Sequence, residues 1–125
     1  MGAKSQVVQQ AYDAFGRGDI PAVLGLLDDG VEWTTPASVP QGGSYKGPEE
    51  VGTFFARIGE AWERLEIDVE AVDEVGDDLV VGVVRADGTR RGGGPSGYGA
   101  VHLFDVRDGR ITRFREYVDL DAPLS

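Results

Sequence analysis

The strongest constraint on what this chain can fold into is a change of period near its midpoint. Up to Trp62 apolar residues recur at three- and four-residue steps; from Ile67 onward they alternate with polar ones or gather in short runs cut by turns. The first pattern gives one apolar stripe on a helix and the second gives one apolar face on a strand. Helices gathered at the start and hairpin-linked strands at the end must bury these surfaces against one another. The fold class is therefore α+β, with helices on one curved face of an antiparallel sheet.

Val7, Val8, Ala11, Tyr12 and Phe15 mark a first helix that Gly16 and Gly18 end. Asp19 is a good N-cap, Pro21 suits the first turn, and Ala22 to Leu27 read as a short helix stopped by Asp28-Asp29-Gly30. That stop lacks the further oxygen ligands of a calcium loop. Val31 to Thr35 read as a strand, and Pro36 to Gly47 as a loop long enough to form a rim. Pro48, Glu49 and Glu50 open a third helix whose inner face carries Val51, Phe54, Phe55, Ile58 and Trp62. Strands follow at Ile67 to Ala71 and Leu79 to Val84. Gly88 to Gly97 look too irregular for a strand and are expected as a long hairpin tip. Tyr98 to Val106 and Arg110 to Val118 then form a last hairpin. No internal repeat is visible.

A chain of 125 residues with 41% hydrophobic content suits one domain, residues 1–125, with a real core. No apolar run approaches the ~20 residues of a membrane span, and the first residues show no secretory pattern. Without cysteine there is no disulfide, thiol catalysis or thiolate zinc site, and one histidine cannot build a multi-histidine metal site. No metal or other cofactor is implied. A net charge of -10, with no basic cluster beyond Arg90-Arg91, argues against nucleic acid and anionic membrane. The expected partner is a small molecule or a protein. Arginine far outnumbering lysine, with abundant glycine, aspartate and valine, is associated with bacterial cytoplasmic proteins of GC-rich genomes.

The last hairpin holds the chemistry. Thr112, Phe114, Glu116 and Val118 share one face of its second strand; Ala100, His102, Phe104 and Val106 share one face of its first. A two-residue Asp-Gly turn pairing Arg107 with Arg110 would put His102 and Glu116 on opposite faces. A three-residue turn pairing Val106 with Arg110 would put both on the apolar face. The three-residue turn is expected, because it keeps the arginines outside.

Further motifs carry a resemblance. Tyr12-x-Ala14-Phe15-x-x-Gly18-Asp19, Leu26-Leu27-Asp28-Asp29-Gly30-Val31-x-Trp33, Pro36-x-x-x-Pro40-x-Gly42-x-Tyr45-x-Gly47 and Arg107-Asp108-Gly109-Arg110-Ile111 with Arg115-Glu116-Tyr117 occur in order from about Val7 to Leu120. The chain resembles the SnoaL-like branch of the nuclear transport factor 2-like superfamily. The resemblance implies a cone-shaped, curved, largely antiparallel (mixed) sheet wrapped around a long helix, with an N-terminal helical hairpin. It also implies a deep pocket for a small hydrophobic molecule and a homodimer through the outer sheet face, near Arg113 and Arg115. The same fold hosts cyclases, isomerases, hydrolases and binding domains.

Three site patterns follow from the resemblance. SnoaL-like polyketide cyclases place an acid/base aspartate on the last strand and a histidine fourteen residues earlier, a separation that His102 and Glu116 repeat with a longer carboxylate. A carboxyl raised by burial would suit an aldol-type closure on a carbonyl compound. The ketosteroid isomerase pattern fits poorly: its two aspartates fall at Thr35 and Val101. An epoxide hydrolase pattern would use Arg85, Asp87 and Glu116, although Asp87-Gly88 is also an ordinary turn dipeptide. A binding module without catalysis is the remaining reading, with His102 and Glu116 pairing for structure. Tyr12, Phe15, Trp33, Tyr45, Phe54, Phe55, Trp62, Phe104 and Phe114 are the candidate pocket aromatics, residue types more often found in a core than around a ligand, although in a cone fold several can serve as both.

Overall fold

The computed structural model describes residues 2–119. Helices α1 (Ala3–Gly16) and α2 (Ile20–Leu24) form the N-terminal hairpin, and α3 (Gly47–Ala61) is the long helix. The strands are β1 (Leu27–Thr35), β2 (Gly43–Lys46), β3 (Trp62–Val75), β4 (Leu79–Arg90), β5 (Pro95–Arg107) and β6 (Arg110–Asp119). They make one sheet in the order β2-β1-β6-β5-β4-β3. Among the described residues only the β1–β6 pairing is parallel, so the sheet is mixed. Among the described residues no helix is long and apolar enough to cross a membrane.

Several boundaries differ from the sequence expectation. The second helix ends at Leu24, and Leu27 to Gly30 belong to β1, because Leu27 is needed in the core opposite Ile111. Part of the expected rim loop is β2, an edge strand whose Tyr45 lies across from Trp33. The glycine-rich stretch is mostly strand: β4 and β5 pair as far as Thr89 and Pro95, leaving a tip of Arg91 to Gly94. Glycine is required at 88 because a Cβ there would run into the Arg64 carbonyl of β3.

The decisive difference is in the last hairpin. Arg107 pairs directly with Arg110, so the turn has two residues, Asp108 and Gly109, at φ 53 and 76. These positive values match the twist of the flanking strands. A β-bulge then corrects the register: Val106 faces Ile111 but Asp105 faces Arg113, leaving Thr112 as the extra residue. The Thr112 hydroxyl donates to the Asp105 carbonyl at 3.2 Å. The bulge brings Ile111 inward with Phe114, contrary to the expected alternation, and sets His102 directly across from Glu116 on the inner face.

The core has two parts. One joins α1 and α3 to β1, β5 and β6 through Val8, Val51, Phe54, Phe104, Ile111 and Phe114. The other lies around Trp62, Val84, Ala86, Tyr98 and Ala100. Tyr12 and Ile58 pack against both, and the seam between the two is where the site forms.

Candidate active site

Strand alternation aims Thr35 from β1, Glu116 from β6 and His102 from β5 at the same place, and α1 lays Tyr12 over them. The Glu116 and His102 side chains are each only 8% exposed. His102 Nε2 lies 2.9 Å from Glu116 Oε2, and the Thr35 hydroxyl donates to Oε1 at 2.6 Å. On the other side of the imidazole, the Tyr12 hydroxyl is 2.8 Å from Nδ1. An ionised carboxylate only accepts, so in the neutral imidazole Nε2 carries the proton and Nδ1 accepts from tyrosine. The result is a directed chain of donors, Tyr12 to His102 to Glu116, with Thr35 closing the far end.

Burial pushes the Glu116 carboxyl up. A hydrogen bond from His102, the positive charge His102 carries when protonated, and the Thr35 hydroxyl pull it down and prevail, leaving it below the ordinary glutamate value. This corrects the expectation of a carboxyl raised by burial: the group is held ionised at neutral pH. Burial, reinforced by the Glu116 charge, raises the Tyr12 hydroxyl well above its usual range. Burial and the same charge push Tyr98 up to about 12, against a hydrogen bond from Gln41.

Glycine at 82 makes this arrangement possible. Gly82 lies across β4 and β5 from His102, and a Cβ there would occupy the place of the Tyr12 hydroxyl. The missing side chain is a notch that lets tyrosine reach the imidazole.

The chain opens on a cavity of about 70 Å³. Trp33, Phe54, Phe104 and Phe114 form its buried wall, together with the half-buried Tyr12, Phe15, Phe55, Ile58, Leu65 and Ile67. Trp33 stacks on Phe114 with centroids 4.0 Å apart, which holds the wall beside Glu116. The volume is under half of the ~150 Å³ of an engineered cavity that takes up benzene. As it stands the space suits a molecule of a few heavy atoms, and a larger one requires the rim side chains to swing aside.

Other sequence candidates lie elsewhere. Tyr45 and Trp62 do not line the cavity. They act from behind it: the Tyr45 hydroxyl donates to the Gln41 carbonyl at 2.8 Å and the Trp62 indole N–H to Gln41 Oε1 at 3.2 Å. Arg85 and Asp87 form an ion pair at 3.8 Å with side chains 52% and 50% exposed. They alternate with the inward Val84 and Ala86, so they stand on the outer face. The three side chains of the epoxide hydrolase pattern therefore do not converge, and that arrangement is corrected. Among the described residues no three His, Cys, Asp or Glu side chains are grouped to hold a metal ion.

Thr35, Gly82, Gln41 and Tyr98 were not among the site candidates. Thr35 had a signal, since it follows Val31 and Trp33 at a step of two on one face of β1. So did Tyr98, which precedes Ala100 and His102 at the same step. Gln41 sits in a connection without periodicity and had none.

Comparison with known proteins bears on this geometry. Residues 8–114 match a family model described as a SnoaL-like domain. No functionally curated protein matches the chain. Among solved structures, an NTF2-like protein from Burkholderia thailandensis E264 is 30% identical with a TM-score of 0.87, over 95% of this chain and 92% of that one. A putative SnoaL-like polyketide cyclase from Jannaschia sp. CCS1 is 25% identical over 98% and 89%, with a TM-score of 0.81. A Mycobacterium tuberculosis protein in complex with estradiol-17β-hemisuccinate is also 25% identical, over 97% of both chains, with a TM-score of 0.81.

Proposed function

This chain belongs to the SnoaL-like domain family, and from that premise we propose that it is an acid/base enzyme acting on a small hydrophobic carbonyl compound. Glu116 removes a proton α to the carbonyl, as the aldol-type ring closures of polyketide cyclases and related isomerisations require. The observation that carries this reading is a carboxylate only 8% exposed, fixed through both oxygens, at the end of an aromatic cavity. His102 orients the carboxylate and Tyr12 fixes His102. The steroid ester bound by the mycobacterial protein supports an apolar occupant for such a pocket.

The reading can be tested before the natural substrate is known. Cyclopentanone in heavy water exchanges its α-hydrogens when a base removes them, and NMR follows the loss of signal. The wild-type protein should accelerate this exchange, and Glu116→Gln should reduce it by about 10²- to 10⁴-fold, the usual contribution of a positioned acid/base group. No acceleration by the wild type, or equal acceleration by the variant, would favour a binding module without catalysis.

The assembly belongs to the same proposal. Val101 and Tyr117 face each other across β5 and β6 and are both exposed on the outer face. This patch supports a homodimer through the sheet. The composition supports a bacterial cytoplasmic setting.

A further inference from the structure

A base alone does not complete the chemistry, because the carbonyl oxygen gains charge as the α-proton leaves and needs a hydrogen-bond donor. Among the described residues the polar groups lining the cavity are few: Tyr12, Trp33, Gln41, Tyr98, His102 and Glu116. Three of these have no donor to give, and a fourth, Trp33, has an unpaired one that shows no exposed surface. With His102 neutral, the Tyr12 proton goes to His102 and the His102 Nε2 proton to Glu116, and Glu116 only accepts. Gln41 and Tyr98 remain.

Their orientation is settled by partners. The Trp62 indole only donates, so the Gln41 oxygen must face it and the amide nitrogen must point the other way. That nitrogen donates to the Tyr98 oxygen at 3.5 Å. Tyr98 therefore accepts from Gln41, and its own O–H has no acceptor among the described residues. Gln41 is 2% exposed and Tyr98 is 8% exposed, so the unit is sealed into the wall. We infer that Tyr98 is the hydrogen-bond donor to the ligand's carbonyl oxygen, held in place by Gln41 and Trp62, opposite Glu116 in the same cavity.

The inference rests on the proton-abstraction reading and deepens it by fixing the ligand's two ends. Tyr98 and Glu116 both line this one cavity of about 70 Å³. The ligand is thus a compact ketone or aldehyde with an α-C–H, bound with its oxygen toward β5 and its α-carbon toward β6. In the step, Glu116 takes the α-proton and the C–H electron pair becomes the C=C bond of the enolate. The carbonyl π pair moves onto the oxygen, which the Tyr98 O–H holds by a hydrogen bond. Burial keeps that proton on the phenol up to about pH 12, so the group donates across the physiological range. Tyr98 touches the reacting atoms; Gln41 and Trp62 act through it.

The test uses cyclopentanone with the full chain and two independent readings, the carbonyl stretch of the bound ketone by infrared difference spectroscopy and the α-exchange rate by NMR. In the wild type the bound carbonyl band should move to lower frequency than in hydrocarbon. Tyr98→Phe should abolish that displacement and slow exchange by about 10²- to 10³-fold. Glu116→Gln should lose exchange but keep the displaced band, which separates failure of the base from failure of the donor. Gln41→Met, which removes the amide at nearly constant volume, should weaken the displacement with Tyr98 intact and serves if Tyr98→Phe does not fold. A band unchanged by both Tyr98→Phe and Gln41→Met, or no saturable binding of cyclopentanone, overturns the inference.

Discussion

His102 is the only histidine of the chain, so its imidazole can be observed alone. Its nitrogen partners are fixed by a residue that has no side chain: without the notch at Gly82 the Tyr12 hydroxyl would not reach Nδ1. Gly82→Ala should push Tyr12 aside, at a cost of about 1–3 kcal/mol typical of overpacking. The nitrogen-15 signals of His102 should then change toward those of Tyr12→Phe. Adding Gly82→Ala to Tyr12→Phe should change them little further, because the clashing hydroxyl is already gone. Unchanged imidazole signals in Gly82→Ala would show that tyrosine does not set the histidine. At this scale the sequence exposed the chemistry through scarcity, with one histidine and one carboxylate among apolar neighbours. It hid Gly82, since nothing in a strand pattern distinguishes a glycine that makes room from one that merely tolerates a turn.

Among the elements, the last hairpin carries the most consequence. Period and turn residues place both strands, but a two-residue turn alone would send Glu116 outward, and the single extra residue at Thr112 reverses it. A bulge leaves little compositional trace, which is why the expected three-residue turn reached the right face by the wrong route. The turn itself can be tested. Gly109 at φ 76 is in the left-handed region, so Gly109→Ala should lower stability by about 1 kcal/mol in denaturant unfolding, whereas Asp108→Asn should be tolerated. An equal cost for both would contradict the assigned turn.

Helix α1 shows another device unreadable from local sequence. Its N-cap Gly2 offers no side chain, and the Glu74 carboxylate at the end of β3 accepts from the Ser5 backbone N–H at 2.9 Å instead. That bond is the main reason the Glu74 carboxyl is held below its ordinary value, with the Ser5 hydroxyl adding to it. A carboxyl lowered by folding stabilises the fold above the ordinary glutamate value. The benefit is lost as pH falls through the lowered one. Glu74→Gln should therefore reduce stability at neutral pH and flatten its decline on acidification, as followed by thermal unfolding. A decline as steep as in the wild type would exclude the cap.

For the molecule as a whole, the order of periods was enough to give an α+β class. The motif series pointed to the curved mixed sheet that the order β2-β1-β6-β5-β4-β3 displays. The parallel β1–β6 contact and the edge strand β2 were not legible, because both depend on pairings distant in sequence. The outer face remains apolar at Val101 and Tyr117. Light scattering should report a dimer for the wild type and a monomer for Val101→Glu combined with Tyr117→Glu. A monomer in both cases would remove the sheet-face assembly.

The site forms where the two halves of the core meet, and its central property is a buried carboxylate that folding keeps ionised. The most direct measurement is the pH dependence of cyclopentanone α-exchange by the wild-type protein. Because His102 and Thr35 outweigh burial at Glu116, exchange should stay undiminished as pH falls toward the ordinary glutamate value and drop only below it. A drop that begins above the ordinary glutamate value, or exchange that persists unchanged in Glu116→Gln, would contradict a base at this position.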